Sequence, residues 1–98
     1  MGTYLRCKIG LGQFSGEVAV QSATASGEEF SLFVDDECVD CDRSLEQESP
    51  VDGWIRVEVL AEEGELLLVQ LPGQTFENGR TVTVRRTQVE QRSPQEKV

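Results

Sequence analysis

The chain contains no histidine, so the side chain most often used for acid–base work and metal ligation near neutral pH is missing. It also lacks a glycine-rich phosphate loop and a Gly-x-Ser-x-Gly elbow, which leaves no machinery for nucleotide-phosphate chemistry or serine hydrolysis. Long apolar runs are absent. The longest, Leu66-Leu67-Leu68-Val69, is broken by Gln70 and falls far short of the roughly 20 residues that cross a bilayer. Residues 1–8 carry no apolar stretch of the kind that opens a secretory signal. Bases are scarce: nine Lys and Arg stand against eighteen Asp and Glu, a net charge of −9 that opposes binding to nucleic acid, which is driven by Lys and Arg. The three cysteines cannot all pair with one another and fit a reducing compartment better than a secreted disulfide framework. These absences predict a soluble, cytoplasmic, non-enzymatic protein with no membrane insertion and no cofactor. They point to no particular small-molecule ligand.

What is present is period-two alternation, which sends successive side chains to opposite faces of a strand. Leu5, Cys7 and Ile9 alternate with Tyr4, Arg6 and Lys8, and Val18 and Val20 with Glu17, Ala19 and Gln21. Phe30, Leu32 and Val34 form a third inward row, and Ile55, Val57 and Val59 a fourth, opened by Gly53-Trp54. A loop is expected at Ala61 to Gly64, followed by a strand from Leu66 to Leu71 that is apolar on both faces. Val82 and Val84 mark a last strand running loosely to Val89. Ser26-Gly27, Pro72-Gly73 and Glu77-Asn78-Gly79 read as turns. Ser44 and Gln47 have capping-box spacing, which allows one helical turn before Pro50. No internal repeat is evident. The expected architecture is one all-β domain over residues 1–89, a five-to-six-stranded antiparallel barrel, with a flexible polar tail at 90–98. In outline (short strands, Gly-rich turns and a late hairpin-like return) residues 3–89 are similar to small SH3-like barrels. That likeness is architectural and implies a fold without a site.

Cys38 and Cys41 have the spacing by which two thiolates hold a metal or close a small disulfide, with Cys7 available as a third ligand. The surrounding Asp35, Asp36, Glu37, Asp40 and Asp42 oppose thiolate formation and fit a solvated acidic loop. Asp40, Asp42 and Ser44 match the first, third and fifth places of an EF-hand loop, but Leu45 and Val51 occupy its Gly and Glu places. Charge is segregated: fifteen of the eighteen acids lie in residues 15–65, between two mildly basic ends. If the first and last strands are neighbours, Arg6, Lys8, Arg85 and Arg86 form one positive patch suited to an acidic protein partner. Trp54, Phe33 and Phe76 are candidate contact aromatics, although each also suits a structural role at the rim of the core. The reading is therefore a non-catalytic protein-interaction module, an accessory subunit or assembly factor, contacting its partner through Arg6, Lys8, Arg85, Arg86 and Trp54. The alternatives are a metal-binding or redox-responsive domain using Cys38 and Cys41, and a nucleic-acid binder using the basic patch.

Overall fold

A computed structural model describes residues 2–41, 50–76 and 79–92. The alternating segments form antiparallel strands: β1 Gly2–Leu11, β2 Glu17–Ala23, β3 Glu29–Asp35, β4 Val39–Asp40, β5 Val51–Glu63, β6 Leu66–Gln70, β7 Thr81–Arg85 and β8 Val89–Arg92. Single 3₁₀ turns at Asp36–Cys38 and Arg86–Gln88 lead into β4 and β8. The sheet runs β3-β2-β1-β5-β6-β7, with β4 bordering β5 and β8 bordering β1, and it curls into a half-barrel. The expected all-β antiparallel architecture is what the chain adopts. The inward rows enclose one core, in which Leu5, Ile9, Val69, Ile55 and Val84 are fully buried. Burying each such side chain contributes about 1.5–3 kcal/mol. Among the described residues no helix is long and apolar enough to cross a membrane.

The sheet contains a structural repeat that the sequence does not advertise. Each half is a three-strand meander, a 3₁₀ turn and a short fourth strand: β1 to β4, then β5 to β8. The correspondence holds pair by pair. Val39 faces Ile55 as Val89 faces Leu5, and Val34 faces Val18 as Val84 faces Leu67. The Asp36 N–H donates to the Gly16 carbonyl at 2.9 Å, and the Arg86 N–H donates to the Glu65 carbonyl at 2.8 Å. Leu5 and Ile55, themselves equivalent, are cross-strand partners, so a pseudo-twofold axis passes through that pair. The halves interlock, because the fourth strand of each pairs with the first strand of the other. Loops interlock as well: the Ala25 N–H donates to the Thr83 carbonyl, and the Phe76 N–H donates to the Ser31 carbonyl, both at 2.9 Å.

Two other expectations change. Ala61 to Glu63 belong to β5, paired with β6 beyond a bulge between Val59 and Ala61, so the turn shrinks to Gly64-Glu65. Glu90, Gln91 and Arg92, assigned above to a polar tail, pair with Tyr4, Thr3 and Gly2. The ladder supplies backbone partners that polar side chains do not advertise. The helical turn expected near Ser44 and Gln47 lies outside the described residues, as do Glu77, Asn78 and residues 93–98.

Gly53 shows how closely the two halves meet. A Cβ there would overlap Ile9 Cδ1 and stand 2.9 Å from the Asp40 carbonyl oxygen and 3.2 Å from Cys41 Cβ. Gly53→Ala should therefore cost about 1–3 kcal/mol through overpacking. Thermal unfolding measures this, and an unchanged midpoint would contradict the close approach.

Candidate functional site

The outer face of the β1–β5 ribbon carries Tyr4, Arg6 and Lys8 from one strand and Asp52, Trp54 and Arg56 from the other, because these are the residues out of phase with the core. Arg6 faces Trp54, and its Cζ lies 5.4 Å from the centroid of the indole ring. A second guanidinium, Arg92 of β8, lies 5.1 Å from the same ring. Cation–π contacts of this kind contribute about 0.5–2 kcal/mol each.

Arg92 is fixed by carboxylates. Its Nε and Nη2 donate to Asp40 Oδ2 at 3.0 and 2.9 Å, and its Nη1 donates to Glu90 Oε2 at 3.0 Å. The Asp40 side chain is only 12% exposed, so this pair is shielded from water more than the other ion pairs on the surface. Because β8 borders β1 and β4 borders β5, the Arg92–Asp40 contact joins the fourth strands of the two halves across the ribbon.

The expected basic patch divides. Arg6 and Lys8 share the ribbon face, where Lys8 Nζ lies 2.6 Å from Asp52 Oδ1. Arg85 and Arg86 sit at the end of β7, which borders β6 and not β1. There they act as clasps: Arg85 Nε donates to the Ala25 carbonyl at 3.3 Å, Arg86 Nη2 donates to the Gly64 carbonyl at 3.0 Å, and Arg86 Nη1 reaches Glu62 at 2.9 Å. The sequence reading missed Arg56, Arg92 and Asp40 as members of the face. The alternation of β5 already places Arg56 beside Trp54. Arg92 carried no signal, because nothing apolar marks β8.

The cysteines are also regrouped. Val39 and Asp40 form the extended β4 between Cys38 and Cys41. Three Cα-to-Cα steps through these two extended residues separate the two cysteine Cα atoms by roughly 10 Å, beyond the reach of a disulfide of ordinary geometry. Cys41 instead lies against Gly53, the cross-strand partner of Cys7. Burial pushes the Cys7 thiol up to about 12, and the neighbouring Cys41 and Asp52 add to the effect. Cys38 is also raised, first by burial and then by Asp35 and Glu37, with Arg56 opposing. Cys7, Cys38 and Cys41 form no disulfide with one another. Among the described residues no group of three or more His, Cys, Asp or Glu side chains is placed to hold a metal ion.

Phe33 and Phe76 meet edge to face, with centroids 5.3 Å apart and rings at 87°. They line a groove of about 310 Å³ together with Gly10, Ala19 and Pro50. Its counterpart in the second half, about 400 Å³, lies beside Leu66, Leu68 and Thr83. Phe76 thus pins its loop to β3 while leaving much of its ring in solvent. Comparison with family models, with curated proteins and with solved structures finds no match to this chain.

Proposed function

We propose that the chain is a non-catalytic protein-interaction module, an accessory subunit or assembly factor, that meets its partner through the outer face of the β1–β5 ribbon. The observation that carries this reading is Trp54: a half-buried indole on a paired strand, with the guanidiniums of Arg6 and Arg92 against its ring. Trp and Arg are the residue types most enriched at binding hot spots. A face already fixed by a β-ladder and by the Arg92–Asp40 contact loses little conformational entropy on docking. The SH3-like kinship and a cytoplasmic location belong to the same proposal. They are supported by the short-strand antiparallel sheet and by three thiols with no disulfide among them.

The test is a pull-down from the native host with the full chain as bait, at low and at physiological salt. The wild type should retain a partner, and Trp54→Ala should weaken it about 30-fold or more, the loss typical of a hot spot. Arg6→Glu, an exposed substitution that leaves the core untouched, serves as the second variant if Trp54→Ala lowers stability. Recovery of no partner above background at either salt, or equal recovery by wild type and both variants, overturns the proposal.

A further inference from the structure

The pseudo-twofold axis through Leu5 and Ile55 relates two cross-strand pairs on the outer face, Arg6 with Trp54 and Arg56 with Tyr4. In both, an exposed arginine lies beside an aromatic ring. Arg6 Cζ is 5.4 Å from the Trp54 centroid. Arg56 Nε and Tyr4 Cε1 both approach Gly2, at 3.7 and 3.3 Å from where a Gly2 Cβ would stand. The repeat has therefore placed two exposed arginines diagonally across one ribbon, each opposite an aromatic residue.

The carboxylates of this face are largely engaged elsewhere. Asp52 is held by Lys8, and Asp40 and Glu90 by Arg92. Glu58 stands two residues beyond Arg56 on the same strand and forms no ion pair with it. Among the described residues neither Arg6 nor Arg56 has a carboxylate partner, although the chain as a whole carries −9. Charge complementarity thus marks the pair as a place where this acidic protein can accept an acid.

We infer that Arg6 and Arg56 together receive two carboxylates of a partner protein, borne on alternate residues of an extended segment; this rests on the interaction-module reading above. The spacing is the argument. Diagonal neighbours on one face of an antiparallel pair stand roughly 7–8 Å apart, and alternate side chains of an extended chain roughly 6.6–6.8 Å apart. Two acids at positions i and i+2 therefore match the spacing of the backbone positions that carry Arg6 and Arg56, and each guanidinium can bind a carboxylate with two parallel N–H donors. A nucleic-acid strand fits less well. Tyr4 is 7% exposed and the Trp54 ring already carries two guanidiniums, so neither offers a free face for base stacking. The negative field of the chain also repels a long polyanion more than a two-acid motif.

Fluorescence anisotropy on the full chain tests this with three labelled probes. The first is an eight-residue peptide with two Glu residues at alternate positions, the second has the same composition with its two Glu residues contiguous, and the third is an eight-residue oligouridylate. The alternating peptide should bind about tenfold more tightly than the contiguous one, and Arg6→Ala and Arg56→Ala should each weaken it about three- to tenfold. Circular dichroism checks that these exposed substitutions leave the fold intact. Equal binding of the two peptides, indifference to both arginines, or a preference for oligouridylate overturns the inference. If the pull-down recovers a partner that Trp54→Ala releases while Arg6→Ala and Arg56→Ala do not, the interaction reading stands and the acid-binding assignment falls. If no partner is recovered, the interaction reading itself falls.

Discussion

Raising the pH from 9 to 12 should cost the native state about 3 kcal/mol through Cys7 alone. In the fold this thiol is pushed up to about 12 from 9.0, first by burial and then by Cys41 and Asp52. Between those values the unfolded chain has lost the proton and the folded chain has kept it. The native state then binds more protons, so stability falls as pH rises, by about 1.4 kcal/mol per unit, and is fully retained below pH 9. Screening does not soften the effect, because Cys7 is only 4% exposed. The repeat supplies the control: Val57 occupies the position equivalent to Cys7, so Cys7→Val places there a residue that the fold already accommodates. Urea unfolding at pH 8, 9.5 and 11 should show the wild type losing about 2–3 kcal/mol more than the variant by the highest pH. Every other titrating group is common to both proteins and cancels in the difference. Parallel losses in the two proteins would show that the buried thiol is not the cause. At neutral pH the same shift keeps Cys7 protonated, which works against the role of third thiolate ligand considered from sequence.

The strands were legible wherever alternation ran against a buried row: Leu5, Cys7 and Ile9, or Ile55 and Val57, identify both the strand and its inner face. The fourth strands were not legible. β4 is two residues long, and β8 is the polar stretch Val89–Arg92 held by backbone pairing with β1. The outer face of the ribbon was half legible for the same reason. Arg6, Lys8 and Trp54 sit on alternating strands, whereas Arg92 and Asp40 come from the two short strands that nothing announces. The repeat stayed hidden because few side chains survive it. Arg6 matches Arg56, Gln21 matches Gln70, and Val20, Val34 and Val39 match Val69, Val84 and Val89. Charges have inverted elsewhere, Lys8 against Glu58 and Asp35-Asp36 against Arg85-Arg86. The bulge between Val59 and Ala61 also shifts the numbering by one residue, which breaks a comparison at fixed spacing. Pairing registers restore the match because they compare positions in space. The single basic patch presupposes that the strand carrying Arg85 borders the first strand; it borders β6 instead, and Arg85 and Arg86 occupy in the second half the place that Asp35 and Asp36 hold in the first.

The axis residues carry the other large expected effect. Leu5 and Ile55 are both fully buried and face each other at the centre of the ribbon that both halves share. Leu5→Ala and Ile55→Ala should each cost about 2–5 kcal/mol, the range for truncating a buried aliphatic side chain. Their costs should also resemble each other, since pseudo-symmetry gives them equivalent surroundings. The double variant should fall short of the sum by about 0.5–3 kcal/mol, because the two side chains share one contact. A domain of ordinary stability, about 5–15 kcal/mol, would then be close to unfolded. The form of the transition matters as much as its midpoint. If the halves were independent modules, truncating Leu5 would melt the first half and leave the second folded. They are not built that way, because β4 completes the second half and β8 the first. Each single variant should therefore unfold in one step, with Trp54 fluorescence and backbone circular dichroism following the same curve. Two separated transitions, or costs for Leu5 and Ile55 that add without coupling, would show that the halves fold apart and that the shared ribbon is not their common core.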